Sequence, residues 1–394
     1  MKIFEIGTGY TPIPATISAA TEIIVEELTN AMLKQGAKVS VVDIKSDTRA
    51  KIDFNIIEVS VPKMFRGTDV KLGILHKLKR VVYSINLAFK LKKILKKEND
   101  RVILHFHNQY NMFFFLKLTS KKLIEKCFTV YTNHNGVWRM SWETAEPIIK
   151  KRYFQEAYSM KNADLVISLN KETKENLINY LNIDPLKIKC ISNGVNTDKY
   201  RPYTPDEKEL AKKSSGVQTN RMILQVGSVC DNKGQLRSLN LLLPVMKKYT
   251  DVIFGYAGGI IEPEYKEQIE KFANDNGISD RVKFFGMVSP GPDLADLYNS
   301  AFATIFPSVY EAFGLVAIES LSCGIPVICN ESAVFKFGDG AVYYDENNFE
   351  AAFELNLTDN DKYTELCTAS RNNAVANYGW DSVAKAHIDI FNEI

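Results

Sequence analysis

The stretch Phe306-Pro307-Ser308-Val309-Tyr310-Glu311-Ala312-Phe313-Gly314-Leu315-Val316-Ala317-Ile318-Glu319, running on to Cys323-Gly324-Ile325-Pro326, follows a short apolar run and opens a helical pattern. A strand that passes straight into a helix is half of a βα unit. Gly314, at the junction, lets the backbone come close to a ligand. The amides of Leu315 and Val316 fall at the helix start, where N–H groups lack intrahelical acceptors and suit phosphate oxygens. Glu319 lies about one and a half turns into the helix, placed to accept hydrogen bonds from a ribose diol. Glu311 lies before it, placed to accept from sugar hydroxyls. Two isolated glutamates at this spacing would be ordinary solvated side chains. Inside P-S-x-x-E-x-F-G-L-x-x-x-E, followed by G-x-P-V, they fit a ligand with hydroxyls on both sides of a diphosphate.

Outward from this run, short apolar segments alternate with helical patterns, which predicts parallel sheets. In the first half the expected strands are 2–6, 38–43, 56–59, 101–106, 127–131, 165–168 and 188–191. The expected helices are 18–35, 86–97, 147–161 and 171–181. A turn cluster at Ser192-Asn193-Gly194-Val195-Asn196-Thr197 and charged sequence to Asn220 mark a boundary. A second series has strands at 222–227, 252–257, 282–285, 304–306 and 326–329, and a tail helix from Trp380 to Glu393. The fold class is therefore α/β, with two doubly wound parallel-sheet domains. Residues 1–195 form the first, 196–379 the second, and 380–394 a tail. Ligands of open α/β sheets bind at the carboxyl ends of strands, so the expected site is a cleft between the domains.

Composition excludes fibrous and disordered classes: 394 residues, 45% hydrophobic and 24% charged. The net charge is +2, but residues 1–194 carry 31 Lys+Arg against 19 acids and residues 195–394 carry 18 against 28. The basic excess concentrates between Lys63 and Arg101. In 86–97, Leu87, Ile94 and Leu95 alternate with Lys90, Lys92, Lys93, Lys96 and Lys97, the pattern of a basic helix lying on anionic lipid. A solvated helix face gives the same pattern. No nucleic-acid module is evident. Six cysteines lack metal-ligand spacing. Glu5 interrupts the N-terminal apolar run too early for a signal peptide, and no apolar run reaches 18 residues. The expected location is cytoplasmic, with peripheral attachment to the membrane face as a further option.

The motif resembles that of the retaining glycosyltransferases of family 4, which have the two-domain GT-B fold. Asn193-Gly194-Val195-Asn196-Thr197 with Tyr200-Arg201-Pro202, and Val226-Gly227-Ser228 through Lys233-Gly234, are similar to further family segments. The resemblance implies a nucleotide diphosphate sugar on the second domain, with no metal or other cofactor. Glu319 would hold ribose and Glu311 the sugar. Gly227, Ser228, Lys233, Phe313, Gly314, Leu315 and Val316 would surround the diphosphate. The family's usual arginine partner of the lysine is Ser228 here, which leaves the clamp one cation short unless Arg237 substitutes. The tail would cross back onto the first domain.

In that first domain, Ala19-Ala20-Thr21-Glu22 stands where the family has Gly-Gly-x-Glu, with Ala20 and Thr21 on the acceptor side. His107 and His134 end neighbouring strands and match family histidines near the donor sugar and acceptor. Neutral imidazole would bond hydroxyls, and the cation would steady negative charge. His105 shares a face with His107, yet no nearby carboxylate or thiol is apparent to complete a metal site. The function implied is retaining transfer of a hexose-type sugar from a UDP- or GDP-linked donor to a glycan or lipid-linked acceptor, as in polysaccharide biosynthesis. The alternatives are a nucleotide-sugar 2-epimerase-like isomerase and a catalytically weak sugar-binding homologue. A dinucleotide oxidoreductase fits less well, because Gly7-Thr8-Gly9-Tyr10 lacks the rest of that fingerprint.

Overall fold

The computed structural model describes residues 1–15, 19–66, 74–135, 138, 145–217, 219, 221–308, 313–333 and 336–394. The chain divides into two compact units, Met1–Gly194 with Trp380–Ile394, and Val195–Gly379. The first unit is built on seven strands: β1 (Lys2–Ile6), β2 (Lys38–Ile44), β3 (Ile56–Val59), β4 (Val102–Phe106), β5 (Cys127–Asn133), β6 (Leu165–Ser168) and β7 (Ile188–Cys190). All pair in parallel, in the order β3-β2-β1-β4-β5-β6-β7. Every residue of β4 is buried, as expected for a strand covered on both faces.

Its helices are α1 (Ala20–Lys34), α2 (Ile74–Lys97), α3 (Gln109–Leu118), α4 (Lys121–Ile124), α5 (Pro147–Asn162) and α6 (Lys171–Leu181). The sequence reading missed α3 and α4. The run Met112-Phe113-Phe114-Phe115-Leu116 is apolar all round and gives no helical period, although Asn108 caps α3 by accepting from the Tyr110 amide at 2.9 Å. The reading also placed the start of α2 twelve residues late.

Leu87, Leu91 and Leu95 of α2 are fully buried in the core, with Ile94 packed against them. The leucine face assigned to lipid therefore belongs to the domain interior, and the outward side carries the lysines together with the exposed Phe89. Among the described residues, no helix is long and apolar enough to cross a membrane.

The second unit has β8 (Arg221–Val226), β9 (Val252–Ala257), β10 (Val282–Gly286), β11 (Ala303–Phe306), β12 (Val327–Asn330) and β13 (Ala341–Tyr344). The parallel order is β10-β9-β8-β11-β12-β13. Its helices are α7 (Pro205–Ser215), α8 (Gln235–Lys248), α9 (Pro263–Asp275), α10 (Pro292–Ser300), α11 (Leu315–Ser322), α12 (Phe349–Leu357) and α13 (Asn360–Asn373). The four-residue β13 was also missed. In both sheets the strand order reverses beside the first strand, between β1 and β4 and between β8 and β11. Loops leave in opposite directions there and open a crevice at the carboxyl edge.

The last helix, α14 (Trp380–Asn392), belongs to the first unit and packs on α1. Val383, Ala384 and Phe391 join Ile24, Leu28 and Met32 in one cluster. Gly194 is needed where the chain meets this helix, since a Cβ there would lie 2.3 Å from the Trp380 indole. Phe391→Ala should destabilise the first unit by about 3–5 kcal/mol, read as a lower urea midpoint. An unchanged midpoint would show that α14 does not seal this core.

Candidate active site

At the carboxyl edge of the second sheet, the loops after β8 and β9 touch. The Gly227 amide donates to the Ala257 carbonyl at 2.8 Å and the Val229 amide to the Gly259 carbonyl at 2.9 Å. A Cβ on Gly258 would lie 2.0 Å from the Gly227 oxygen, so only glycine allows this approach. Two glutamines brace the loop. Gln225 Nε2 donates to the Lys233 carbonyl and Gln235 Nε2 to the Ser228 carbonyl, both at 2.8 Å. Lys233 ends a short 3₁₀ turn just before α8. Arg237, in the first turn of α8, donates through Nη2 to the Pro307 carbonyl after β11, and that nitrogen lies 3.6 Å from the position of a Cβ on Gly234. Both cations thus stand beside the β8/β11 crevice.

Gly314 caps α11 with φ +84°. A Cβ there would lie 2.9 Å from the rings of both Phe306 and Phe337. The glycine is thus required by its left-handed backbone and by two phenyl neighbours, in addition to any ligand approach. Phe313 is buried, and Leu315 and Val316 form the half-buried first turn of α11. Glu319, one turn further, accepts from the Tyr298 hydroxyl at 2.9 Å. Burial pushes its carboxyl up to about 7, against the pull of Tyr298 and the Lys199 charge. Glu311 lies outside the described residues.

In the first unit, the loop after β1 is packed from below. Tyr83 donates to the Gly7 carbonyl at 3.0 Å and Asn111 Nδ2 to the same oxygen at 2.9 Å. Beside it, β1 and β4 pair Glu5 with His105. The buried Glu5 carboxylate meets His105 Nδ1 at 2.9 Å and His107 Nε2 at 2.8 Å. His105 Nε2 meets the Thr132 hydroxyl at 2.7 Å, and His107 Nδ1 meets His134 Nε2 at 3.1 Å. Burial opposes ionisation of Glu5, but its attraction to the two imidazoles and their hydrogen bonds outweigh it and hold the carboxyl well below the usual range. Burial pushes His107 down to about 4 and His134 well below its ordinary value. Burial thus favours the neutral form of both imidazoles near pH 7.

His107 and His134 line a cavity of about 260 Å³, together with Tyr10, Thr21, Arg80, Asn108, Tyr110 and Arg152. Ala20, the exposed first residue of α1, is not among its lining. Arg80 donates to the Tyr10 hydroxyl at 2.8 Å and lies over the Tyr10 and Tyr110 rings at 5.1 and 4.6 Å. Glu156, buried at the cavity floor, accepts from Tyr131, Asn133, Asn135 and Trp138. Sequence reasoning missed Glu5, Arg80, Arg152 and Glu156. An acid inside the apolar run of β1 was the available signal for Glu5; nothing local marked the others. The missing carboxylate beside His105 and His107 is Glu5, and the three residues' donor atoms lie within 4.8 Å of one another. That spacing is compatible with an ion, although here those atoms hydrogen-bond directly to each other.

Two family models account for most of the chain. Residues 21–199 match Glycosyltransferase Family 4, and residues 206–354 match Glycosyl transferases group 1. The chain belongs to glycosyltransferase family 4. It is 26% identical over 235 residues to an uncharacterized glycosyltransferase of Methanocaldococcus jannaschii, covering 57% of this chain and 59% of that protein. It is 28% identical over 272 residues to a D-inositol 3-phosphate glycosyltransferase of Streptomyces bingchenggensis, covering 64% and 57%. The chain thus spans less than two thirds of the length of these relatives. Its fold is similar to that of Anabaena HepE in complex with UDP and glucose, with a TM-score of 0.70, 16% identity and 100% of each chain covered. The fold is GT-B, with two Rossmann-like domains.

Glu319 links this site to stability. Its carboxyl ionises near 4.5 when exposed and near 7 in the fold. Between those values the folded chain retains a proton that the unfolded chain has lost, so the cost of burying the charge grows with pH and is complete above 7. Glu319→Gln should therefore raise the melting temperature at pH 8 by about 2–4 °C for each kcal/mol relieved, with no gain at pH 4.5. Equal effects at both pH values would exclude a buried, reluctant carboxylate.

Proposed function

We propose that this chain is a retaining glycosyltransferase. It moves a hexose-type sugar from a UDP- or GDP-linked donor to a glycan or lipid-linked acceptor, in polysaccharide or glycoconjugate biosynthesis. The observation that carries the reading is the grouping at the β8/β11 crevice of Lys233, Arg237 and the start of α11, with Glu319 one turn behind. Two cations and a helix start suit a diphosphate, whose charge grows as the sugar bond breaks. Arg237 supplies the second cation that Ser228 does not. Glu319 would accept from the ribose, and Glu311 from the sugar hydroxyls. The complex of HepE with UDP and glucose is consistent with this donor class. The retaining outcome, through front-face attack, rests on the family, and no metal is assigned a step.

The first domain would hold the acceptor in the cavity beside His107 and His134. Arg80 and Arg152 line that cavity, and the carboxylate of Glu156 is already taken up by four donors. Such a pocket favours an acceptor with an anionic group, such as the phosphate of a lipid-linked glycan. The outward lysines Lys93, Lys96 and Lys97, with the half-buried Lys90 and Lys92, would add electrostatic attraction to an anionic membrane face.

Titration with UDP- and GDP-sugars should give saturable binding that Lys233→Ala and Arg237→Ala each weaken about 10- to 100-fold, with Arg80→Ala leaving it unchanged. No binding across the nucleotide-sugar panel would refute the reading. Changing Lys93, Lys96 and Lys97 together to Glu should abolish sedimentation with phosphatidylglycerol vesicles at low salt. Equal sedimentation of this variant would remove the membrane role.

A further inference from the structure

Glu5 sits under the acceptor cavity without reaching it, and its two carboxylate oxygens are divided between His105 and His107. A carboxylate held well below its usual range only accepts, so the His107 nitrogen facing it, Nε2, carries the proton. Burial, with the His105 ring 4.2 Å away centroid to centroid, keeps His107 neutral. Its Nδ1 is then a lone pair. The 3.1 Å contact with His134 must therefore be a hydrogen bond donated by His134 Nε2. His134 is neutral in turn, which leaves its Nδ1 unprotonated. Among the described residues that Nδ1 has no hydrogen-bond partner, and His134 lines the cavity half-exposed.

We propose that Glu5 is a positioning residue: by accepting from His107 Nε2 it fixes the direction of the hydrogen bonds running to His134, so that His134 offers an accepting Nδ1 to the acceptor's hydroxyl. The inference rests on the cavity being the acceptor site, as argued above. A buried acid that reaches the substrate only through two rings can control a tautomer without adding charge to the pocket. His105 Nδ1 occupies the other carboxylate oxygen, and the His105 ring is itself held by Thr132 at Nε2. Glu5 therefore cannot turn away from His107 without breaking a second bond. His387, whose Nδ1 bonds the Val383 carbonyl at 2.8 Å, packs against His105 and completes the set of imidazoles around this acid.

The chain has five histidines, few enough to resolve by long-range proton–nitrogen correlation spectra of the whole protein at pH 7.5. His107 and His134 should both appear as neutral Nε2–H tautomers. In Glu5→Gln the amide nitrogen must face one of the two imidazoles. His134 should then shift at least partly to Nδ1–H, with kcat falling about 10- to 100-fold and nucleotide affinity unchanged. A wild-type His134 protonated on Nδ1 overturns the proposal, and that spectrum decides it even if the variant fails to fold. So do unchanged tautomers in a folded Glu5→Gln, or stoichiometric zinc in the purified wild type that this variant lacks. Loss of nucleotide-sugar binding in the wild type would instead refute the glycosyltransferase reading and leave the tautomers as measured.

Discussion

Reversal of strand order beside the first strand of each sheet is the constraint on which the remaining structure depends. Parallel strands need crossover helices, and helices that leave in opposite directions cannot close the edge between them. The gap at β1/β4 receives Glu5, His105 and His107. The gap at β8/β11 receives Lys233, Arg237 and the start of α11. Neither set is contiguous in sequence. Each is assembled because two strands far apart in the chain must lie side by side, as the pairing of Glu5 with His105 shows.

This explains what was legible in the sequence. The central parallel strands were read to within a residue or two because both faces are buried and their runs are mostly apolar. The motif around Gly314 was legible because a strand, a turn and a helix follow one another without a gap. The structural need for its glycine was nonetheless not visible. The rings of Phe306 and Phe337 converge on it from residues 8 and 23 positions away, and no local pattern reports such a contact. Glu5 was visible only as a break in an apolar run. Its meaning depended on a partner 100 residues later. Arg80 and Arg152 lay in stretches rich in basic residues, where nothing distinguishes the cation that faces a cavity from those that face water.

The amphipathic pattern in α2 was incomplete for a related reason. A stripe of leucines beside lysines describes a helix with one buried face, but not what buries it. Leu87, Leu91 and Leu95 are satisfied by the first domain's own core, so any hold on a membrane would come mainly from the lysines and the exposed Phe89 beside them, and its charge component would weaken with salt.

The acids and the cations of this chain have different tasks. Glu5, Glu156 and Glu319 are enclosed, and each has a carboxylate engaged by neighbouring side chains. Enclosed and engaged in this way, they orient side chains: two histidines for Glu5, an array of amide, phenol and indole donors for Glu156, and a tyrosine for Glu319. Arg80, Arg152, Lys233 and Arg237 stand nearer the solvent, where a long side chain can reach an arriving anion at little desolvation cost. Buried acids that hold the frame still and rim cations that meet the ligand would let both domains favour phosphate-bearing molecules.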